Sequence, residues 1–373
     1  MRILIACDKF KGSLAAPEVA RVLRETLAPL LPAATFDLCP IADGGEGTTE
    51  ALVGALGGVW RETLATDAQG RPVAARHGYV PARRLAILEM SAASGLSLVR
   101  DLPLDPSNAS TAGTGELLLA AAREADEIVL GIGGSATNDG GLGLAVALGW
   151  RGRRADGSLF RPTLADITQA DALVPAETAL PHIRIACDVD NPLLGPNGAT
   201  RVYGPQKGVT DFAWFERRLA HLADLARDLT GDDRRDVPGA GAAGGLGFGL
   251  MTFAGAELVP GFDLVARTLD LEARVHAADL VITGEGRIDR QSLSGKGPVG
   301  LARLARRLGK PVVALAGSVE DDPAVAAAFD LVAAISPSDL PVAEAMRRAA
   351  ELLAEAARKR AATIGRLAAR PAR

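Results

Sequence analysis

The sequence predicts an α/β protein of two domains: a discontinuous flavodoxin/Rossmann-like parallel-sheet domain and an inserted mixed-sheet α/β domain. Three observations carry this reading. Buried-strand and helical patterns alternate at both ends of the chain, the pattern changes in the middle, and 373 residues at about 150 per domain suit two cores. A hydrophobic content of 48% is ample for both.

At the N-terminus "RILIAC" reads as a short strand. Pro17, at a first helical position, opens a segment whose Val19, Val22, Leu23, Leu27 and Leu30 share one helical face, and Pro32 is expected to stop it. "TFDLCPIA" is a second strand, followed by a helix from about Glu46 to Leu56. Near the C-terminus "DLVITG", "PVVALAG" and "DLVAAI" are apolar enough to be strands covered on both faces. Helices are expected between them, around Val299 to Leu308 and Pro323 to Phe329, with one long helix from Pro341 closing the chain.

The middle differs. "PVAARHGYV" and "RRLAILEM" look like paired strands around a proline turn, and glycine loops crowd between residues 131 and 261. The expected domains are therefore residues 1–65 with 270–373, and an insertion at 66–269, with ligand in the cleft between them. "GAGAAGGLGFGLMTFAGA", residues 239–256, is uncharged and just long enough to span a membrane. Seven glycines at about 1 kcal/mol each, and flanks without aromatic or basic anchors, favour a glycine loop entering a buried helix.

Composition removes several function classes. A net charge of −4 and a pI near 5.7 give no footprint for nucleic acid, and the arginines from Arg358 to Arg373 read as a solvated helix end. Cys7, Cys39 and Cys187 are odd in number and far apart, which suits a reducing cytoplasm, and the four histidines form no zinc pattern. The apolar start "MRILIAC" meets Asp8 too early for a signal peptide. No membrane partner is expected, and the oligomeric state, a homodimer included, stays open.

Chemistry concentrates in glycine-bearing loops after strands. In "GIGGSATNDGG", residues 131–141, the amides of Gly133 and Gly134 could close on an anion. Ser135, Thr137 and Asn138 add donors there, and Asp139 could face a metal or a hydroxyl. A helix cap with a turn accounts for the same residues. Only six of the 41 basic residues are lysines, and four of those six, Lys9, Lys11, Lys207 and Lys296, lie in glycine-bearing polar stretches. A compact ammonium suits a phosphate approached through a narrow loop; a solvated turn charge is the plainer account. Carboxylates recur in the same setting: Asp8, Asp43 and Glu46, Asp188 and Asp190, Glu285 and Asp289. In open α/β sheets the ligand lies beyond the carboxyl ends of the strands, although Asp and Glu also cap helices at such positions.

Carboxylates, lysines and glycine loops without a nucleophile–histidine pairing describe phosphoryl transfer better than acyl transfer. Two glycine fingerprints, "GIGGSA" and "GAGAAG", keep an NAD(P)-dependent oxidoreductase of a small hydroxy acid as the alternative, and a sugar-acid sensor is more distant. "SLSGKG" fails as a P-loop, with Arg290 at the first glycine position and Gly297 at the Ser/Thr position.

Taken in order, "DKFKGSL", "IADGGEGT", "EMSAASGL", "GTGELL", "GIGGSATNDGG", "CDVDNPLLGPNGA", "YGPQKG", "GAGAAGGLGFGL" and "ADLVITGEGRIDRQSLSGKGPVGLA" resemble the bacterial glycerate kinase family over nearly the whole chain. The resemblance implies ATP-dependent phosphorylation of glycerate, usually at the 2-hydroxyl, on a flavodoxin-like part and a restriction-endonuclease-like part. The family usually opens "APDSFKGS"; Cys7 and Lys9 replace its proline and serine here, which puts affinity or selectivity in question. Joined to the residue chemistry, the resemblance assigns catalysis to Lys11, Lys207, Asp188 and Asp190, with the two aspartates holding Mg²⁺ or accepting a proton. Asp8, Asp43, Glu46, Ser135, Thr137, Asn138 and Lys296 are expected at the substrate. Gly133, Gly134, Gly284, Glu285 and Asp289 are expected at ATP.

Overall fold

A computed structural model describes residues 1–42, 44–290, 292–294 and 297–369. The chain divides into two compact units. Unit 1 is Met1–Asp43, Glu50–Gly57 and Gly261–Arg373; unit 2 is Gly44–Thr49 and Gly58–Pro260.

Unit 1 is built on a five-stranded sheet in the order Leu331–Ala334, Val312–Ala316, Leu280–Thr283, Arg2–Ile5, Thr35–Leu38, every pair parallel. Read as a sheet, this is the 2-1-3-4-5 order of flavodoxin-like folds, with its topological switch between Arg2–Ile5 and Leu280–Thr283. The central strands are apolar throughout because helices cover the sheet; Ile3, Ile5, Leu280, Ile282, Val313 and Leu315 share one core with Val19, Leu23 and Leu27 of the helix Ala16–Leu27. That helix ends at Leu27, earlier than Pro32 suggested: Pro29 has no amide to continue the ladder, and Leu30 is left 47% exposed. The C-terminal helix is two helices, Val342–Arg347 and Ala349–Ala368, broken at Arg348, whose φ is −100° and ψ 14°.

Unit 2 has a six-stranded sheet ordered Glu257–Val259, His182–Ala186, Glu127–Gly131, Leu85–Glu89, Pro72–Val80, Val59–Thr66. The first four strands are parallel and the last two antiparallel. Register aligns Glu89 with Gly131, Gly131 with Ala186 and Ala186 with Val259, so the loops that follow leave from one row. "PVAARHGYV" and "RRLAILEM" do pair, and Pro72–Val80 has a second partner, Val59–Thr66, on its other side. A small antiparallel sheet of Leu159–Phe160, Arg151–Arg153 and Ala172–Val174 stands apart. Its neighbourhood shares a second core with Phe215, Leu219 and Leu222 of the helix Phe212–Thr230. Among the described residues no helix is long and apolar enough to cross a membrane.

Candidate functional site

The glycine loop 131–141 of unit 2 is more deeply packed than its composition suggests. Only Gly133 and Gly134 are exposed; Ser135 is 7% exposed, and Thr137 and Asn138 have no exposed surface. The loop runs beside Ser94–Leu96, where Leu96 N–H donates to the Gly134 carbonyl at 2.8 Å and Ala136 N–H to that of Ser94 at 3.0 Å. Gly134 has φ +76°, which lets the chain reverse there. A Cβ on Gly133 would lie 3.5 Å from Gly45 Cα and 3.7 Å from the Glu46 amide, so this exposed turn adjoins the "GGEGT" segment of the same unit.

The ammonium of Lys207 lies inside this loop. Lys207 is 1% exposed, and its Nζ donates to Ser135 Oγ at 2.6 Å and to the Thr137 carbonyl at 2.7 Å. Burial pushes it down to about 7, and the Asp139 charge opposes that shift. Asp139, also buried, accepts from the Thr111 amide and hydroxyl at 2.8 and 2.9 Å and from the amides of Gly141 and Gly143 at 3.1 Å each. Burial raises its carboxyl, against those hydrogen bonds. Asn138 donates to Thr200 Oγ1 at 3.0 Å. The Asp139 carboxylate is therefore taken up by donors of the chain itself. The expected substrate donors Ser135, Thr137 and Asn138 face the protein interior, and Lys207 has its ammonium committed to the chain. Burial, which the local sequence does not show, is the reason.

The second glycine fingerprint packs on the first. In "GAGAAGG" the residues Ala243, Gly244 and Gly245 take left-handed backbone, so the regular helix through Phe253 begins only after them. The Gly140 amide donates to the Gly244 carbonyl at 3.0 Å, and a Cβ on Gly244 would stand 2.0 Å from the Thr137 carbonyl oxygen. The second fingerprint thus uses missing Cβ atoms for chain-on-chain approach, with backbone oxygens 2.1 and 2.0 Å from a Cβ on Gly241 and Gly244, and nothing in the structure supports the dinucleotide alternative.

Glu89, to which the sequence reading gave no role, ends the strand Leu85–Glu89. Its Oε1 accepts from the amides of Gly47 and Thr49 at 3.0 and 2.9 Å, and Ser91 Oγ lies 3.4 Å from Oε2. An acid closing the buried strand "LAILE" was the available signal. Glu46 is exposed beside this arrangement. Asp188 and Asp190 follow His182–Ala186 on the same row of strand ends, both exposed and outside the ladder. Among the described residues no three His, Cys, Asp or Glu side chains gather into a metal cage. Two exposed carboxylates nevertheless fit Mg²⁺, a hard cation that takes one or two carboxylates and fills its shell with water and substrate phosphate oxygens.

In unit 1 the expected residues gather at the switch point. The Asp8 amide donates to the Gly284 carbonyl at 2.8 Å, and Asp8 Oδ1 accepts from the Lys9 amide at 2.6 Å. Asp8 Oδ2 lies 3.5 Å from where a Cβ on Gly297 would be, at the start of the helix Gly297–Arg307. Lys11 is exposed, and its amide lies 3.2 Å from a Cβ placed on Gly286. Gly284 is required by the Leu315 carbonyl, 1.9 Å from its would-be Cβ, and Glu285 beside it is half-buried. Asp289 pairs with Arg287 at 3.0 Å and accepts from the Ser292 amide at 3.3 Å, a local turn. Asp43 and Lys296 lie outside the described residues.

The chain matches the model of the glycerate kinase family over residues 3–365. It is 43% identical to the glycerate kinase of Bacillus subtilis (strain 168) and 42% identical to the glycerate 2-kinase of Escherichia coli (strain K12), each alignment covering 98% of both chains. A solved glycerate kinase 2 structure from Salmonella typhimurium LT2 superposes with a TM-score of 0.88 at 40% identity, covering 97% of this chain and 98% of that one. With a family-model match over residues 3–365, relatives above 40% identical over 98% of both chains, and a shared fold, the chain belongs to the glycerate kinase family.

Proposed function

We propose that the protein transfers the γ-phosphoryl group of ATP to glycerate, at the 2-hydroxyl, giving 2-phosphoglycerate and ADP. The observation that carries the reading is the full-length match to glycerate kinases, together with glycine, lysine and carboxylate groups at the carboxyl ends of parallel strands. The glycerate hydroxyl oxygen forms a bond to phosphorus as the bond from phosphorus to the β,γ-bridging oxygen breaks, and a carboxylate takes the hydroxyl proton. Asp188 or Asp190 suits that proton, because both are exposed on a loop leaving a strand end. The same two residues would hold Mg²⁺, which when bound neutralises charge on the phosphate oxygens.

Lys11, exposed on the loop after Arg2–Ile5, suits a phosphate or the glycerate carboxylate, and Lys296 is given the same class of contact. Asp8, Asp43 and Glu46 suit the glycerate hydroxyls. Gly133 and Gly134 present the exposed amides of their loop to an anion, whereas Ser135, Thr137 and Asn138 support that turn from behind. Gly284 and Glu285, at the end of the strand Leu280–Thr283, suit the nucleotide, and Asp289 shapes the turn after them. Three free cysteines suit work in the cytoplasm.

A coupled assay for ADP release with glycerate, ATP and Mg²⁺ tests the reading, with the product position read by phosphorus NMR. Turnover that needs all three components and yields 2-phosphoglycerate supports it. Failure to release ADP at any glycerate concentration refutes the kinase reading, and a 3-phosphoglycerate signal refutes the position.

A further inference from the structure

The lysine in "YGPQKG" is among the largest fully buried side chains of the protein, and its ammonium spans two residues of a loop whose only exposed part is a two-glycine turn. We infer that Lys207 is a positioning residue that fixes the Gly133–Gly134 turn from inside, through Ser135 Oγ and the Thr137 carbonyl, and that it does not itself touch nucleotide or glycerate. To reach a ligand the ammonium would have to leave both acceptors and an interior where it has 1% exposure.

The surrounding contacts show what the clamp adds. The outer side of the loop is tied to Ser94 and Leu96 by two backbone hydrogen bonds, and its far end to Gly244 by one. Asp139 gathers Thr111, Gly141 and Gly143 just beyond. Between these anchors, Ser135 and Thr137 have one shared support, the Lys207 ammonium, while Asn138 is held to Thr200 one helix away. The turn Pro205–Lys207 and the helix Ala199–Tyr203 thus grip the loop at two points, and the amides of Gly133 and Gly134 take their direction from that grip. An anion of the phosphate or carboxylate class is what the backbone amides of an exposed two-glycine turn would receive.

The inference about ligand contact rests on the kinase reading, but the clamp itself is testable in the ligand-free protein. Hydrogen–deuterium exchange compares wild type with Lys207→Met, which keeps an unbranched stem one atom shorter and removes the ammonium. Exchange at Ala136, Gly140, Gly141 and Gly143, whose amides are bonded in the closed loop, should rise at least about tenfold. Peptides from the helix Ala349–Ala368 should be unchanged. In kinetics, kcat should fall about a hundredfold with KM for ATP and glycerate within about tenfold, as misplacement of a correctly bound group does. Wild-type loop exchange together with a KM rise above a hundredfold and a preserved kcat would make Lys207 a ligand contact and overturn the proposal. If Lys207→Met does not fold, Ser135→Ala decides: it removes one acceptor only, and its loop exchange should rise about threefold, with wild-type exchange overturning the clamp. Absence of kinase activity in the wild type would refute the functional reading and leave the exchange result intact.

Discussion

Replacing Gly244 by alanine tests whether the glycine stretch 239–249 exists for packing. Two costs add. Gly244 has φ +72°, a left-handed conformation that costs an alanine about 1–2 kcal/mol. The new Cβ would also stand 2.0 Å from the Thr137 carbonyl oxygen and 2.8 Å from Asn138 Cα, both backbone atoms that cannot swing aside, so overpacking adds about 1–3 kcal/mol. Gly255 supplies the control: its φ is +63° but nothing lies within 4 Å of its would-be Cβ, so Gly255→Ala should lose only the backbone term, about 1–2 kcal/mol. Trp60, Trp150 and Trp214, the protein's three tryptophans, all lie in unit 2, so urea unfolding followed by tryptophan emission reads that unit alone. Gly244→Ala should be about 2–5 kcal/mol less stable than wild type, and its turnover should fall because Thr137 belongs to the loop that carries Gly133 and Gly134. Equal midpoints and slopes for the two variants would refute the steric account and reopen the stretch as a ligand loop.

Four further outcomes follow from the same geometry. Glu89→Ala strands the Gly47 and Thr49 amides at about 1–3 kcal/mol, whereas Glu89→Gln keeps an oxygen for both; melting temperature and kcat/KM should drop for the first and be largely retained by the second, and equal losses would mean that charge, not acceptance, matters. Asp188→Asn and Asp190→Asn should each remove most of the stabilisation that Mg²⁺ with nucleotide gives against heat, together with activity, and two variants that keep both would send the metal elsewhere. Lys11→Ala should lower kcat/KM at least about tenfold, while Lys359→Ala, at an exposed pair with Glu355, should change little; parity between them removes Lys11 from the site. Burial lowers the Lys207 ammonium from 10.5 to about 7, so between those values the unfolded chain binds the extra proton and stability should rise with pH by at most about 1.4 kcal/mol per unit relative to Lys207→Met. A flat difference between the two proteins from about pH 7.5 to 9.5 would show that the ammonium stays charged inside.

How far the sequence could be read depended on whether the deciding force was local. "RILIAC", "DLVITG" and "PVVALAG" were legible because strands covered on both faces carry an unbroken apolar run. Val59–Thr66 was not: as an outer strand it leaves Trp60 40% and Leu64 78% exposed, so its hydrophobic pattern fits neither a core strand nor a helix. The break at Arg348 lies in "MRRAAELL", where no glycine or proline announces it. At the candidate site, residue type singled out the glycine loops after strands, but not which side chains in them face outward. Glu89 looks like an isolated charge in sequence and Lys207 like an outward-facing loop lysine, and their contacts are with amides and carbonyls about 40 and 70 residues away.

The loop 131–141 shows why glycine alone cannot separate a binding loop from a packing loop. Both need the absence of a Cβ, one to admit a ligand and the other to admit a neighbouring chain. Distance decides between them. A Cβ on Gly140 would meet Leu219 and Leu222 at 2.9 Å, and one on Gly141 would meet Gly249 Cα at 2.7 Å, so these two are taken up by the protein itself. On Gly133 and Gly134 the nearest atoms would be 3.5 and 3.4 Å away, ordinary contact, and both residues are exposed. The backbone of Gly134 still requires glycine at φ +76°, but no crowding requires it at Gly133, where an alanine would fit against Gly45. Packing therefore explains the far half of the loop and leaves the exposed Gly133–Gly134 turn uncrowded, with the Glu46 amide 3.7 Å from a Cβ on Gly133 and the next residue, Ser135, accepting from Lys207.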